Sequence, residues 1–216
     1  MRTALNIALL LQRPAGHIAL LVDRVGPLDY GDEPPLLFAL RNHRNVRFLL
    51  DRGAKIDYQN GFGKTALFYA IGLNDHKLVE LLLDRGADVN HRYALVTKKD
   101  AFDCAYNIEH TARTPLMHAA QHADVSMLKL LVRRGARLHE VDGMGYNATA
   151  YALNADRPSN STHLKSLGLV TTPELERQLK ESTLLRKCLD EVVRRGLSGE
   201  AQRRFFATCY PPERVN

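Results

Sequence analysis

LLDRGAKID runs from Leu49 to Asp57, LLDRGADVN from Leu82 to Asn90, and LVRRGARLH from Leu131 to His139. The glycines at their centres, Gly53, Gly86 and Gly135, lie 33 and then 49 residues apart, so the second interval exceeds the first by 16. A phrase recurring at such a period marks a stack of supersecondary units, none of which buries its apolar face alone. The leucine run in each copy predicts the buried stripe of an amphipathic helix, and the glycine provides the left-handed residue that ends it.

Each phrase also has a matching beginning. Lys64 to Ala70 reads KTALFYA and Arg113 to Ala119 reads RTPLMHA, with Thr65 and Thr114 each 21 residues before the following glycine. The threonines predict caps for a first helix, Pro115 suits the first helical position, and the alanines let paired helices approach closely. Beginning, ending and spacing together resemble the ankyrin T-P-L-H-x-A signature and its L-L-L-x-x-G-A-D-V-N close. The resemblance implies an all-α fold: an ankyrin-repeat solenoid of helix-turn-helix repeats joined by β-hairpin fingers.

Outward from this core the pattern decays, as solenoid ends do. GHIALLV (Gly16 to Val22) resembles the start of a second helix, so residues 1–29 are read as an N-terminal capping repeat rather than a signal peptide, whose cleavage site Gln12, Arg13 and Pro14 do not resemble. Repeats fill 30–170: the first carries PPLLFAL and a loop two residues short, and the second is nearest to consensus. The fourth opens with DGMGYNATAYALNA, and its ending is lost in RPSNSTHLKSLGL. Residues 171–216 read as a helical C-terminal cap or extension, with Thr172 and Pro173 starting an amphipathic helix that runs to Gly196. The 16 extra residues fall at about 91–112, an insertion long enough to suggest a role in recognition.

With 216 residues and 45% hydrophobic composition the chain buries a core and need not be disordered. Cys104, Cys188 and Cys209 are odd in number and form no CxxC pair, which suits a cytoplasmic protein. The net charge of +6 is spread among acids, without basic runs interleaved with aromatics, so nucleic acid is not the expected partner. No apolar run approaches the ~20 residues of a membrane span.

The expected partner is another protein. The resemblance implies binding on the concave face, made of fingertips and exposed first-helix positions. Here those are Tyr30, Tyr58, Asn60, Phe62, His91, Arg92, Tyr93 and Met144 on the fingers, His122 on a first helix, and Phe102 and Tyr106 as anchors in the insertion. Tyrosine and arginine are the residue types that most often carry interface energy. Tyr58 and Phe62 stand out because consensus fingers hold polar residues there.

No enzyme is expected, and no cofactor, metal or small-molecule substrate. His118 and His122 have helical metal-ligand spacing but no third ligand and no adjacent glutamate. Cys104 with Glu109 and His110 lacks an active-site signature. GFGKT (Gly61 to Thr65) looks like a phosphate loop but is the hairpin before a repeat. Thr183, Leu184, Cys188 and Val192 match the elongin-binding box of ubiquitin-ligase adaptors, although the L-P-x-P segment is replaced by LSGEAQRRF. The expected function is therefore non-catalytic protein binding that masks, inhibits or bridges a partner. A bacterial immunity or antitoxin-like protein and a ubiquitin-ligase adaptor stand as alternatives.

Overall fold

The computed structural model describes residues 2–93 and 112–209. Five helix pairs follow one another: α1 (Arg2–Leu10) with α2 (Ala15–Val25), α3 (Pro35–Ala39) with α4 (His43–Asp51), α5 (Ala66–Gly72) with α6 (His76–Asp84), α7 (Pro115–His122) with α8 (Val125–Arg133), and α9 (Ala148–Asn154) with α10 (Pro158–Ser166). A long helix, α11 (Pro173–Arg194), and a shorter one, α12 (Gly199–Cys209), complete the described chain. The first helices form one row, α1 on α3, α3 on α5, α5 on α7 and α7 on α9, and α11 packs on α9 at its end.

The leucine runs occupy this core. Leu78, Val79 and Leu82 of α6 and Leu128 and Leu131 of α8 have no exposed surface. The second helices α4, α6 and α8 end in the same way. At Gly86 the backbone turns left-handed (φ +90°), its N–H donates to Leu83 O (3.1 Å) and the next N–H, of Ala87, donates to Leu82 O (3.0 Å). These two bonds satisfy carbonyls that the helix end would otherwise leave free, and a side chain at that φ is strained.

The fifth pair, the fourth repeat of the sequence reading, departs from the sequence expectation, because its ending is present. Gly168 (φ +84°) closes α10 with the same two bonds, Gly168 N to Lys165 O and Leu169 N to Leu164 O. The leucine stripe that would have revealed it is replaced by buried polar residues. Asn160, 3% exposed, donates to Ala120 O (3.0 Å) and Ala123 O (2.9 Å) of the preceding level. Polar burial is tolerated there because both N–H groups are satisfied.

Two further expectations change. Thr114 caps α7 through Met117 N (3.3 Å), whereas Thr65 occupies the N-cap of α5 without a capping bond. The fingers are tight turns rather than β-hairpins: among the described residues the only bridge joins Tyr93 to Arg113. No helix among the described residues is long and apolar enough to cross a membrane.

Candidate partner-binding surface

Buried polar side chains build the fingers. Asn60 accepts from the N–H groups of Phe62 (3.0 Å) and Lys64 (2.9 Å) through Oδ1, and its amide donates to the Tyr69 hydroxyl (2.6 Å) and Glu33 (3.2 Å). Asp142 repeats the device two levels on, accepting from Met144 N (2.9 Å) and Tyr146 N (2.8 Å) and from the Tyr151 hydroxyl. Burial, reinforced by the bond to Asp142, pushes the Tyr151 phenol up, so it stays a donor. The turns so anchored project Phe62 and Met144, which are 60% and 43% exposed.

Two expected contact residues are thereby corrected. Asn60 is 5% and Tyr93 4% exposed, so both build fingers and present almost no surface. Tyr93 is held edge-on by Phe68, 4.8 Å between ring centroids, with the Lys64 ammonium 5.5 Å above its face. The remaining expected residues lie nearer the surface. Tyr58 is half-buried and donates to Gly31 O (3.3 Å), and Tyr30, also half-buried, donates to Asn6 (3.4 Å). His91 is half-buried beside Phe68. Arg92 is exposed but tied down, donating to Glu140 (2.8 Å), Ala112 O (3.3 Å) and Val141 O. Phe102 and Tyr106, like Cys104, Glu109 and His110, lie outside the described residues.

Between the fingers and the ends of α5 and α7 lies an open cavity of about 170 Å³ lined by Lys64, Phe68, Tyr69, Gly72, Leu73 and His118. Leu73 is 54% exposed at its rim. His118 is buried, edge-on to Phe68 at 5.5 Å and 4.6 Å from the ring of exposed His122. Burial first, then the charges of His122, Lys64 and Arg113, hold the His118 imidazole down at about 3, so it is neutral at pH 7. Burial and the neighbouring Lys64, Arg113 and Arg157 lower His122 as well. The pair has no third ligand: among the described residues no three His, Cys, Asp or Glu groups converge on a metal position.

Sequence reasoning passed over Lys64, Arg113 and Arg157. A signal was available for two of them, since a basic residue immediately precedes the signature threonine in both central repeats, Lys64 before Thr65 and Arg113 before Thr114. At the far end of the stack, Thr183, Cys188 and Val192 of α11 are buried and Leu184 is half-buried. The Thr183 hydroxyl donates to Leu153 O (3.4 Å), and Arg186 donates to Asn154 O (3.0 Å) and Asn154 Oδ1 (2.8 Å), so this side of α11 faces α9.

Stacked helix pairs with turns projecting along one edge define a repeat solenoid, a class whose working part is an extended surface. Residues 4–93 match the family model for ankyrin repeats in three copies, and residues 112–143 match the single ankyrin repeat. Together the matches cover more than half of the sequence, and the chain belongs to the ankyrin-repeat family, whose repeats generally mediate protein–protein interaction. No curated protein matches the chain.

Proposed function

We propose that this protein is a non-catalytic binding module that masks, inhibits or bridges a partner protein through its finger face. One observation carries the reading: Phe62, Leu73, Val141 and Met144 expose 60%, 54%, 46% and 43% of their surface along the fingers and first-helix ends. Buried Asn60 and Asp142 hold the turns that bear three of them, so the apolar side chains are presented on rigid supports. Exposed apolar groups on pre-ordered backbone bind with little further loss of entropy. In this reading α11 and α12 cap the stack, since the Thr183 hydroxyl is spent on Leu153 O of α9, and the setting is cytoplasmic.

The test is affinity capture read by mass spectrometry, repeated with Tyr58→Ala together with Phe62→Ala. The double variant is expected to weaken capture of the identified partner by more than ~1 kcal/mol at an unchanged melting temperature. Undiminished capture would remove the finger face from the binding site.

A further inference from the structure

Several cations of the stack are neutralised by carboxylates. Arg52, Arg85, Arg92 and Arg134 each reach a carboxylate of another level, and Arg177, Arg194 and Arg195 pair along α11. Near the ends of α5 and α7 three cations meet neutral groups instead, and of these Lys64 lines the cavity. The Lys64 ammonium sits over the Tyr93 ring. The Arg113 guanidinium lies 4.4 Å above Tyr151 and donates to Gln121 (2.8 Å). Arg157 donates to the carbonyls of His122 and Ala123, each at 3.3 Å. None of the three has a carboxylate within ion-pair distance among the described residues. Burial and mutual repulsion lower both Lys64 and His122. Like charges so gathered repel, although Asp142 faces Arg113 across Tyr151, and an anionic ligand relieves that repulsion.

The cavity beside these cations is sized for an apolar group. At about 170 Å³ it exceeds the roughly 150 Å³ that takes a benzene-sized molecule. Gly72 is part of its lining, and a side chain there, such as the Gln121 of the next repeat, would start 3.5 Å from His118 Nε2 and enter it. His118, 7% exposed, lines it, and its Nδ1 is buried without a hydrogen-bond partner among the described residues. We propose that the finger face binds an acidic protein segment that seats one leucine- or phenylalanine-sized side chain in the Gly72 cavity and lays its carboxylates against Lys64, Arg113, His122 and Arg157. A nucleic acid fits less well, because the faces of Tyr93 and Tyr151, the nearest platforms for stacking bases, already carry Lys64 and Arg113.

This inference rests on the finger-face reading and is separable from it. The test is fluorescence anisotropy of the full chain with a short labelled peptide of aspartate and glutamate around a central leucine, against its asparagine–glutamine counterpart, an acidic peptide with central glycine, and single-stranded oligothymidine. The acidic leucine peptide is expected to bind roughly tenfold or more tightly than each of the others, and less tightly as salt is raised. Lys64→Glu and Gly72→Gln are each expected to weaken it by a similar factor with melting unchanged. Equal binding of the amide peptide, tighter binding of the oligonucleotide, indifference to Lys64→Glu, or no peptide binding would each overturn the inference. Binding indifferent to peptide charge but lost with Tyr58→Ala and Phe62→Ala would overturn it while leaving the finger-face reading in place.

Discussion

The Arg85 guanidinium donates to the Asp51 carboxylate, 2.7 Å away on the preceding level of the stack. Arg52 does the same to Asp23, and Arg134 to Asp84 at 2.5 Å. The adjacent Asp and Arg of LLDRG therefore point opposite ways, the acid toward the next repeat and the base toward the previous one. Where the phrase becomes LVRRG, Arg133 replaces the acid, and on the next level Leu167 replaces the base, so the ladder stops with both partners gone.

These rungs are exposed, 35% at Arg85 and 62% at Asp51, and water screens them. A double-mutant cycle with Asp51→Ala and Arg85→Ala is expected to give a coupling of about 0.2–1 kcal/mol, shrinking in high salt. A larger, salt-independent coupling would mean that the ladder carries more of the inter-repeat interface than its exposure allows.

The leucine stripe bears the stability instead. Leu82 has no exposed surface, and Leu82→Ala is expected to lower unfolding free energy by ~2–5 kcal/mol in urea melts. A loss near that of the Arg85→Ala rung would show that the level collapses around the vacancy.

Asn60 is the post on which the second finger turns. Asn60→Ala strands the N–H groups of Phe62 and Lys64, an expected cost of about 1–3 kcal/mol, with hydrogen exchange of those two amides accelerated beyond the global change. Uniform acceleration across the protein would mean that the finger is held by other contacts.

His118 makes stability depend on pH. Its folded value lies near 3 and its unfolded value near 6.5, so between these limits the unfolded chain binds a proton that the folded chain refuses. Stability therefore falls as pH drops, by about 2 kcal/mol at pH 5 relative to neutral pH. His122, also lowered, acts in the same direction. Asp75 and Asp124 are lowered from 3.8, so their contributions are lost only in more acid solution. Urea melts at pH 7 and pH 5 are expected to show His118→Leu losing about 2 kcal/mol less than the parent; equal losses would exonerate the imidazole.

The repeats were legible in the sequence because the same burial problem recurs at each level and has the same local solution: a leucine stripe, then a glycine that can turn left-handed. The end of the fourth repeat was hidden because Asn160 does the work of a leucine there, and an asparagine is recognisable as core only when the Ala120 and Ala123 carbonyls that satisfy it are in place. Phe62 and Met144 could be placed on the finger face from their position in the repeat. Asn60 sits in the finger of Phe62 and Tyr93 in the next one, and both face inward, because whether a turn side chain points to solvent depends on neighbours many residues away. The cationic cluster shows the division most plainly. Lys64, Arg113 and Arg157 are dispersed across three parts of the chain, and in the sequence they merge into an unremarkable net charge. Stacking one level on the next gathers them near the ends of α5 and α7, and the reach of a charge through space, unlike the period of a helix, is written only in three dimensions.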